Sequence, residues 1–224
     1  MLAVNDFSAI RLSLQVAACA TIISLPFGYA VAYLLVFGRM RGKVLLEGVV
    51  NLPLVLPPVV IGYLLLLLFG KHSPLGSLLV RYGIEVIFTL KAAVIASTVV
   101  GFPLLVRSVR IGMENVDRRY MQASRTLGAG WWDTLFSVTI PLTYKATLAG
   151  MTLMFARSLG EFGATIILAG NIPGVTQTIP LAIYQYTSVP GGDAMALSLC
   201  LVSIGLSFGV LMISEAVNRS IPRR

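Results

Sequence analysis

Hydrophobic residues fall into five long segments that polar stretches separate. An α-helix needs about 20 apolar residues to cross the hydrocarbon core of a bilayer, and each of the five segments is long enough. The pattern therefore predicts an all-α, polytopic membrane protein with spans at about 12–38, 44–69, 86–106, 146–169 and 194–217. No internal repeat is visible, so we expect a single transmembrane domain over residues 1–224.

The basic residues between these segments predict the orientation of the chain. Arg39, Arg41 and Lys43 follow the first segment, and Arg223 and Arg224 end the chain. Lys and Arg accumulate in cytoplasmic loops, so we expect both places to be cytosolic and the N-terminus to be outside. With this orientation the longest polar stretch, 107–145, is a cytosolic loop.

Local signals within this loop predict a helix-turn-helix. Asp117 is a suitable N-cap for a helix that runs to Leu127, and Gly128 can end that helix with a left-handed backbone. A second short helix, capped by Asp133 and ending at residue 139, leads to Pro141, where we expect a kink before the bilayer. An amphipathic helix that rests on the membrane surface is the alternative interpretation.

Two hydrophobic segments contain residues that are unusual inside a membrane. Pro57 and Pro58 remove backbone donors from the second segment, which predicts a kinked or broken helix. Arg157 and Glu161 lie at i and i+4 in the fourth segment, a spacing that allows an ion pair. A packing kink and a structural ion pair would explain these four residues; a pathway or gate role is the alternative that we keep open.

Two stretches outside the spans are also expected to fold. A short surface helix is predicted at residues 78–82 in the first outer loop. In the long outer loop at 171–192, residues 178–187 are apolar enough to dip back towards the membrane.

Composition excludes a soluble domain. Of the 224 residues, 57% are hydrophobic and 12% are charged, whereas soluble domains have about 25% charged residues. The formal net charge of +8 could indicate nucleic-acid binding. The basic residues lie mostly in short loops that set topology, so we expect no nucleic-acid partner.

Candidate chemistry is sparse. Cys19 and Cys200 lie inside apolar segments, and His72 is the single histidine, so the sequence predicts neither a disulfide nor a metal site. It contains no phosphate-binding loop and no nucleophile paired with a base. We therefore expect a protein that is not an enzyme and binds no cofactor of its own.

The cytosolic loop carries a spaced motif that extends from Gln122 to Pro141. Gln122, Ala123 and Ser124 are followed by three residues of any kind and Gly128, then by nine residues and Val138-Thr139-Ile140-Pro141. This resembles the EAA loop of the membrane subunits of ABC importers, which docks onto the ATPase subunits. Gln122 departs from the usual Glu. The resemblance implies a coupling role for Gln122, Ala123, Ser124, Arg125, Leu127, Gly128, Ala129 and Pro141.

Over nearly its whole length the chain resembles the permeases of bacterial molybdate ABC importers. Four stretches carry this resemblance. They are Leu52-Pro53-Leu54-Val55-Leu56-Pro57-Pro58-Val59-Val60 with Gly62-Tyr63, Phe155-Ala156-Arg157-Ser158-Leu159-Gly160-Glu161-Phe162-Gly163-Ala164-Thr165, Asn171-Ile172-Pro173-Gly174 with Thr178-Ile179-Pro180, and Ala123-Ser124-Arg125-Thr126-Leu127-Gly128-Ala129-Gly130. Sulfate permeases share a similar form of the second stretch, so this stretch indicates an oxyanion permease but does not distinguish molybdate from sulfate. Tungstate resembles molybdate too closely to be separated here.

The resemblance implies an assembly in the bacterial cytoplasmic membrane with a type I importer fold. It comprises a homodimer of this chain, two copies of a cytosolic ATP-binding subunit that uses ATP and Mg, and a periplasmic or surface molybdate-binding protein. A sulfate or thiosulfate permease, an ion-gradient-driven anion transporter and a membrane scaffold remain as alternatives. The last two would need no ATPase partner.

Overall fold

A computed structural model describes residues 4–38 and 40–220, with the side chains of residues 6–38 and 40–216. Arg39, Arg223 and Arg224, on which part of the predicted orientation depends, lie outside the described residues. Every regular element of the described chain is helical. The α-helices are α1 (Val4–Phe37), α2 (Lys43–Val55), α3 (Pro58–Phe69), α4 (Pro74–Arg81), α5 (Leu90–Glu114), α6 (Arg118–Thr126), α7 (Trp131–Thr134), α8 (Ile140–Leu159), α9 (Gly163–Leu168), α10 (Ile179–Thr187) and α11 (Asp193–Ser220). A π-helical turn, Leu135–Thr139, joins α7 to α8.

Three helices are long and apolar enough to cross a membrane: Asp6–Phe37, Leu90–Glu114 and Asp193–Ala216. The helices α2 and α3 are together also long and apolar enough, although they are bent by 116° relative to each other. By length and composition the described residues therefore offer three candidate spans, or four if the bent pair is one span.

Helix α5 is the centre of the bundle and packs mainly against α1 and α8. Small residues bring it close to α8: a Cβ added at Gly112 would collide with Ala146 Cβ, and one added at Gly150 would lie 2.8 Å from Ser108 Cβ. Ser108 Oγ also donates a hydrogen bond to the Ala146 carbonyl at 2.8 Å. Close approach through small residues, with a hydroxyl bonded across the interface, is typical of membrane helix pairs.

The predicted break at Pro57 and Pro58 is confirmed. Helix α2 ends at Val55, Pro57 has an extended backbone with φ −55° and ψ 135°, and Pro58 begins α3. The Pro57 carbonyl accepts from Val60 N at 2.9 Å, so the first turn of α3 supplies a hydrogen bond at the break. Proline is well suited to this position because the first residue of a helix needs no backbone donor.

Helix α5 extends further than the charge pattern predicted. The third predicted span stopped at 106, and the polar loop was expected to begin at Arg107, but the helix continues to Glu114. Val109 and Met113 are buried on one face of this extension, while Arg110 forms ion pairs on another. Helical structure does not end where charged residues begin, provided that one face still packs.

The fourth hydrophobic segment differs from its prediction at both ends. The helical run begins at Trp131 and passes through the π turn into α8, which ends at Leu159. Residues 160–162 then interrupt the helix before α9. The helix predicted at 78–82 is confirmed with longer bounds, Pro74–Arg81, and the apolar stretch at 178–187 forms α10.

Candidate functional site

Helix α6 forms an exposed surface helix whose start is capped as predicted. The Asp117 carboxylate accepts a hydrogen bond from Arg119 N at 2.9 Å, which satisfies one of the free donors of the first turn. Every residue of α6 is exposed or half-buried, and Gln122, Ala123 and Arg125 are among the exposed ones. A helix that packs so little of its surface within the chain can offer that surface to a partner.

The turn after α6 is a Schellman motif. Gly128 has φ +87°, which confirms the predicted left-handed backbone. Gly128 N donates to the Arg125 carbonyl and Ala129 N to the Ser124 carbonyl, the two bonds that define the motif. Leu127, at the tip, is 88% exposed. A turn of fixed shape therefore presents this large apolar side chain at the surface.

The second short helix begins earlier than predicted, because Asp133 is not its N-cap. Gly130 occupies the cap position, and the Asp133 carboxylate reaches back to accept from Gly130 N at 3.1 Å. The π turn follows immediately, and Pro141 then lies in the first turn of α8. Proline in a helix removes one backbone bond and crowds the carbonyl four residues before it, so a widened turn at this point accommodates it without ending the helix.

Three side-chain hydrogen bonds join α6, the helical run that begins at Trp131, and α1. Ser124 Oγ and Thr134 Oγ1 are 3.1 Å apart, which joins α6 to α7. Trp131 Nε1 donates to Tyr33 OH on α1 at 2.8 Å. Sequence reasoning included Ser124 in the motif but missed Tyr33, because the two bonded residues lie 98 positions apart.

The third bond lies one helical turn deeper along α1. Tyr29 OH and Thr143 Oγ1 are 2.7 Å apart. Thr143 donates its own proton to the Thr139 carbonyl at 2.7 Å, so Tyr29 is the donor to Thr143. The Thr143 hydroxyl thereby joins the π turn, α8 and α1.

Arg157 and Glu161 form an ion pair, with Nη1 and Oε2 at 2.7 Å. The contact lacks the alignment of a hydrogen bond. Glu161 is 2% exposed, whereas one third of the Arg157 side chain is exposed. The other carboxylate oxygen, Oε1, accepts from Ala164 N at 2.9 Å. Glu161 therefore holds the arginine and also caps α9, a second role that the i, i+4 spacing did not indicate.

The structure brings the two groups of predicted pathway residues near each other. A Cβ added at Gly163, two residues after Glu161, would lie 2.9 Å from Pro58 Cβ. One added at Gly62 would lie 2.8 Å from the Ala164 carbonyl. The break between α2 and α3 and the break between α8 and α9 thus pack against each other. The surface region around Gly128 is a separate site.

A further ion-pair group escaped sequence reasoning. Arg110 pairs with Glu114 at 2.8 Å within α5 and also with Glu47 on α2. The pair with Glu47 joins α2 to α5, whereas the pair with Glu114 lies within α5. The i, i+4 spacing could have indicated the first pair, but no sequence signal indicated the second.

Within the described residues, no group of three or more His, Cys, Asp or Glu side chains could hold a metal ion. His72 lines a cavity of about 570 Å³, together with Lys71 and Glu85. Cys19 and Cys200 are both free.

Comparison with known proteins identifies the family. A family model described as the inner membrane component of binding-protein-dependent transport systems matches residues 24–223. The chain belongs to this family. One relative of this chain is the molybdenum transport system permease protein ModB of Escherichia coli (strain K12), which is 49% identical over 215 residues. That match covers 96% of this chain and 94% of the relative.

Other relatives and solved structures agree with this assignment. The molybdenum transport system permease protein ModB of Haemophilus influenzae is 47% identical over 98% of this chain and 96% of its own. A chain of the inward-facing MetNI methionine ABC transporter matches with a TM-score of 0.75 and 16% identity, covering 96% of this chain and 95% of that one. A chain of a bacterial alginate ABC transporter, solved with a periplasmic protein that carries alginate pentasaccharide, matches with a TM-score of 0.77 and 12% identity, covering 97% and 80%. At such low identity the two structures establish the fold, that of an ABC importer permease.

Proposed function

We propose that this chain is the membrane-spanning permease subunit of an ATP-driven importer that carries molybdate, or the closely similar tungstate, into the cell. The observation that carries the proposal is the 49% identity to a molybdenum permease over 96% of the chain. Because the sequence contains no ATP-binding motif, the energy must come from a separate ATPase subunit that uses ATP and Mg.

The proposed topology has five spans in the bacterial cytoplasmic membrane. They are α1, the bent pair α2–α3, α5, the interrupted pair α8–α9, and α11, with the N-terminus outside and the C-terminus in the cytosol. Three of these five, α1, α5 and α11, are single helices long and apolar enough to cross a membrane. The exposed arginines of α6 support a cytosolic position for the region between α5 and α8.

The surface region around Gly128 is the proposed coupling site for the ATPase. Its residues are Gln122, Ala123, Ser124, Arg125, Leu127, Gly128, Ala129 and Pro141. Leu127 and the exposed face of α6 would enter a cleft of the ATPase. When ATP draws the two ATPase subunits together, the movement would pass through Ser124 to Thr134 and through Trp131 to Tyr33.

The complete assembly would be a homodimer of this chain with two ATPase subunits and a periplasmic or surface binding protein for molybdate. Alternating access requires that ATP bind more tightly to one packing of the spans than to the other. The two broken helices are the candidate pathway, with Pro57, Pro58, Arg157 and Glu161 as its residues. Non-helical backbone at membrane depth persists only inside protein or along a cavity.

ATP hydrolysis in proteoliposomes tests this proposal. The chain would be reconstituted with its ATPase and binding protein, and molybdate, tungstate or sulfate would be loaded on the binding protein. We expect stimulation by molybdate or tungstate and its loss in Gly128→Asp, which keeps the protein in the membrane but adds a charged side chain at the docking turn. Stimulation by sulfate alone would change the substrate, and failure to associate with any ATPase would refute the importer function.

A further inference from the structure

An apolar groove of about 770 Å³ lies between α1 and the helical run that begins at Trp131. Carbon atoms form nearly all of its surface. Its lining comprises Leu25, Pro26, Tyr29, Ala30, Tyr33 and Leu34 from α1, and Trp131, Trp132, Leu135, Phe136, Ile140, Tyr144, Thr147 and Leu148 from the facing wall. The volume is within the range of about 300–1,000 Å³ that is usual for small-molecule sites.

The polar groups of Tyr29, Tyr33 and Trp131 are bonded between the walls of this groove, whereas the Tyr144 hydroxyl is buried without a hydrogen-bond partner among the described residues. Tyr33 OH accepts from Trp131 Nε1, and Tyr29 OH donates to Thr143. These bonds fix the rings and leave ring carbon facing the groove. An occupant therefore meets a hydrocarbon surface, and a molybdate dianion would lose its hydration there without compensation.

The position of the groove favours a lipid as that occupant. Trp131 and Trp132 follow directly after the exposed basic helix α6, and paired indoles at the end of a polar segment are typical of the membrane–water boundary. Phe136 and Leu34, which line the groove, are also exposed large apolar side chains, so the groove opens onto the surface that faces the bilayer.

Charge at this end of the molecule adds to the argument. Arg118 and Arg119, at the start of α6 and outside the residues proposed for the ATPase contact, are exposed, and basic side chains at a cytoplasmic membrane surface attract anionic phospholipid headgroups. We propose that the groove binds an acyl chain of an anionic phospholipid, whose headgroup lies towards α6. This inference rests on the proposed membrane placement of the chain.

A bound acyl chain would affect the coupling between the ATPase and the spans, because it would lie between two elements that transmit the movement. One wall is α1, and the other is the helical run that connects the proposed ATPase contact to α8. The Trp131–Tyr33 and Tyr29–Thr143 bonds cross between these walls. A chain that fills the space beside them would hold the walls at a fixed spacing, so that displacement of α6 moves α1 and α8 together.

Photolabelling tests the site. The complete transporter would be placed in nanodiscs that contain an anionic phospholipid with a photoreactive group in its acyl chain, and labelled peptides would be identified by mass spectrometry. We expect labelling of the peptides that contain Leu34 and Phe136. Ala30→Trp would fill the groove and should abolish this labelling. Leu201→Trp, on an exposed apolar position of α11 outside the groove lining, is the matched control and should leave it intact.

The outcomes separate this proposal from the importer function. Absence of label in the groove, or label that persists in Ala30→Trp, would overturn the lipid site while association with the ATPase remained. Disulfide cross-linking of Phe136→Cys between two copies would show that a second copy of the chain covers the groove, which also overturns it. If Ala30→Trp fails to fold, Leu34→Trp replaces it, and the number of phospholipids retained in native mass spectra gives a second measurement.

Discussion

Replacing Arg157 with Met should destabilise the protein more than any other single change at the ion pair. Glu161 is 2% exposed, and its Oε2 lies 2.7 Å from Arg157 Nη1. Without the arginine, a buried carboxylate keeps only the hydrogen bond from Ala164 N. Removing one partner of a buried pair typically costs about 3–5 kcal/mol. Because one third of the arginine side chain is exposed, water already screens part of the pair, and we expect the lower end, about 3 kcal/mol.

The double variant Arg157→Met/Glu161→Gln should recover most of this loss. Gln keeps an oxygen that can accept from Ala164 N, so α9 retains its cap, and no charge remains buried. Replacing both partners of a buried pair is often close to neutral, so we expect the double variant to lie within about 1 kcal/mol of the parent. The single change Glu161→Gln should cost about 1 kcal/mol, since the partly exposed arginine can be hydrated.

Thermal unfolding of the purified protein in detergent measures these differences. For a chain of this size about 1 kcal/mol corresponds to about 2–4 °C in Tm, so Arg157→Met should lower Tm by about 6–12 °C. Glu114→Gln is the matched control, because it removes one carboxylate from an i, i+4 pair whose side chains are 30% and 48% exposed; exposed pairs contribute at most about 1 kcal/mol. A loss in Arg157→Met no larger than in this control, or a double variant as unstable as the single one, would refute the reasoning.

Three further predictions concern the surface region and its neighbours. Gly128→Ala should weaken ATP-stimulated uptake by about 5- to 30-fold, because a non-glycine residue in left-handed backbone costs about 1–2 kcal/mol. Gly128→Asn should retain more activity, since Asn tolerates that conformation; equal loss in both variants would mean that any side chain obstructs docking. Trp131→Phe should keep the ring but lose the bond to Tyr33, so ATPase binding should persist while substrate-stimulated hydrolysis falls, and unchanged stimulation would contradict the proposed link. Glu47→Gln should loosen α2 from α5, which proteolysis near residue 42 would detect as faster cleavage than in the parent; identical cleavage rates would show that Arg110 does not hold α2.

The surface helix and the proline break follow from local rules that can be applied to the sequence alone. The Asp117 cap, the left-handed Gly128 and the extended Pro57 each depend on residues within a few positions of one another. Signals of this kind act in any tertiary context because backbone geometry and nearest-neighbour hydrogen bonds decide them.

Other features depend on partners that are distant in the sequence. Helix α5 continues past Arg107 because packing on one face and the pair between Arg110 and Glu47, 63 positions apart, support it. The bonds of Tyr29 and Tyr33 to the helical run after Trp131 likewise require the fold. Charge patterns indicate which residues avoid lipid, but they do not indicate where a helix ends.

The prediction for Glu161 is correct about its contact with Arg157 and wrong about the helix in which it lies. The spacing from Arg157 predicts an ion pair on a continuous helix, and the pair forms. The helix, however, ends at Leu159, and Glu161 lies in the interruption. Gly160 ends α8 and the carboxylate caps α9, so the same side chain serves the pair and the break.

The arrangement of the two breaks also decides which charge an anion could meet. Pro58 and Gly163 pack against each other, so the interruption that contains Glu161 is covered by the start of α3. The carboxylate is buried and contacts Arg157 through one oxygen and Ala164 N through the other, whereas part of the guanidinium remains exposed. Burial thus hides the charge that would repel a dianion and leaves the attractive one accessible. If the pathway passes these breaks, we expect Arg157 to contact the anion and Glu161 to hold the guanidinium in place.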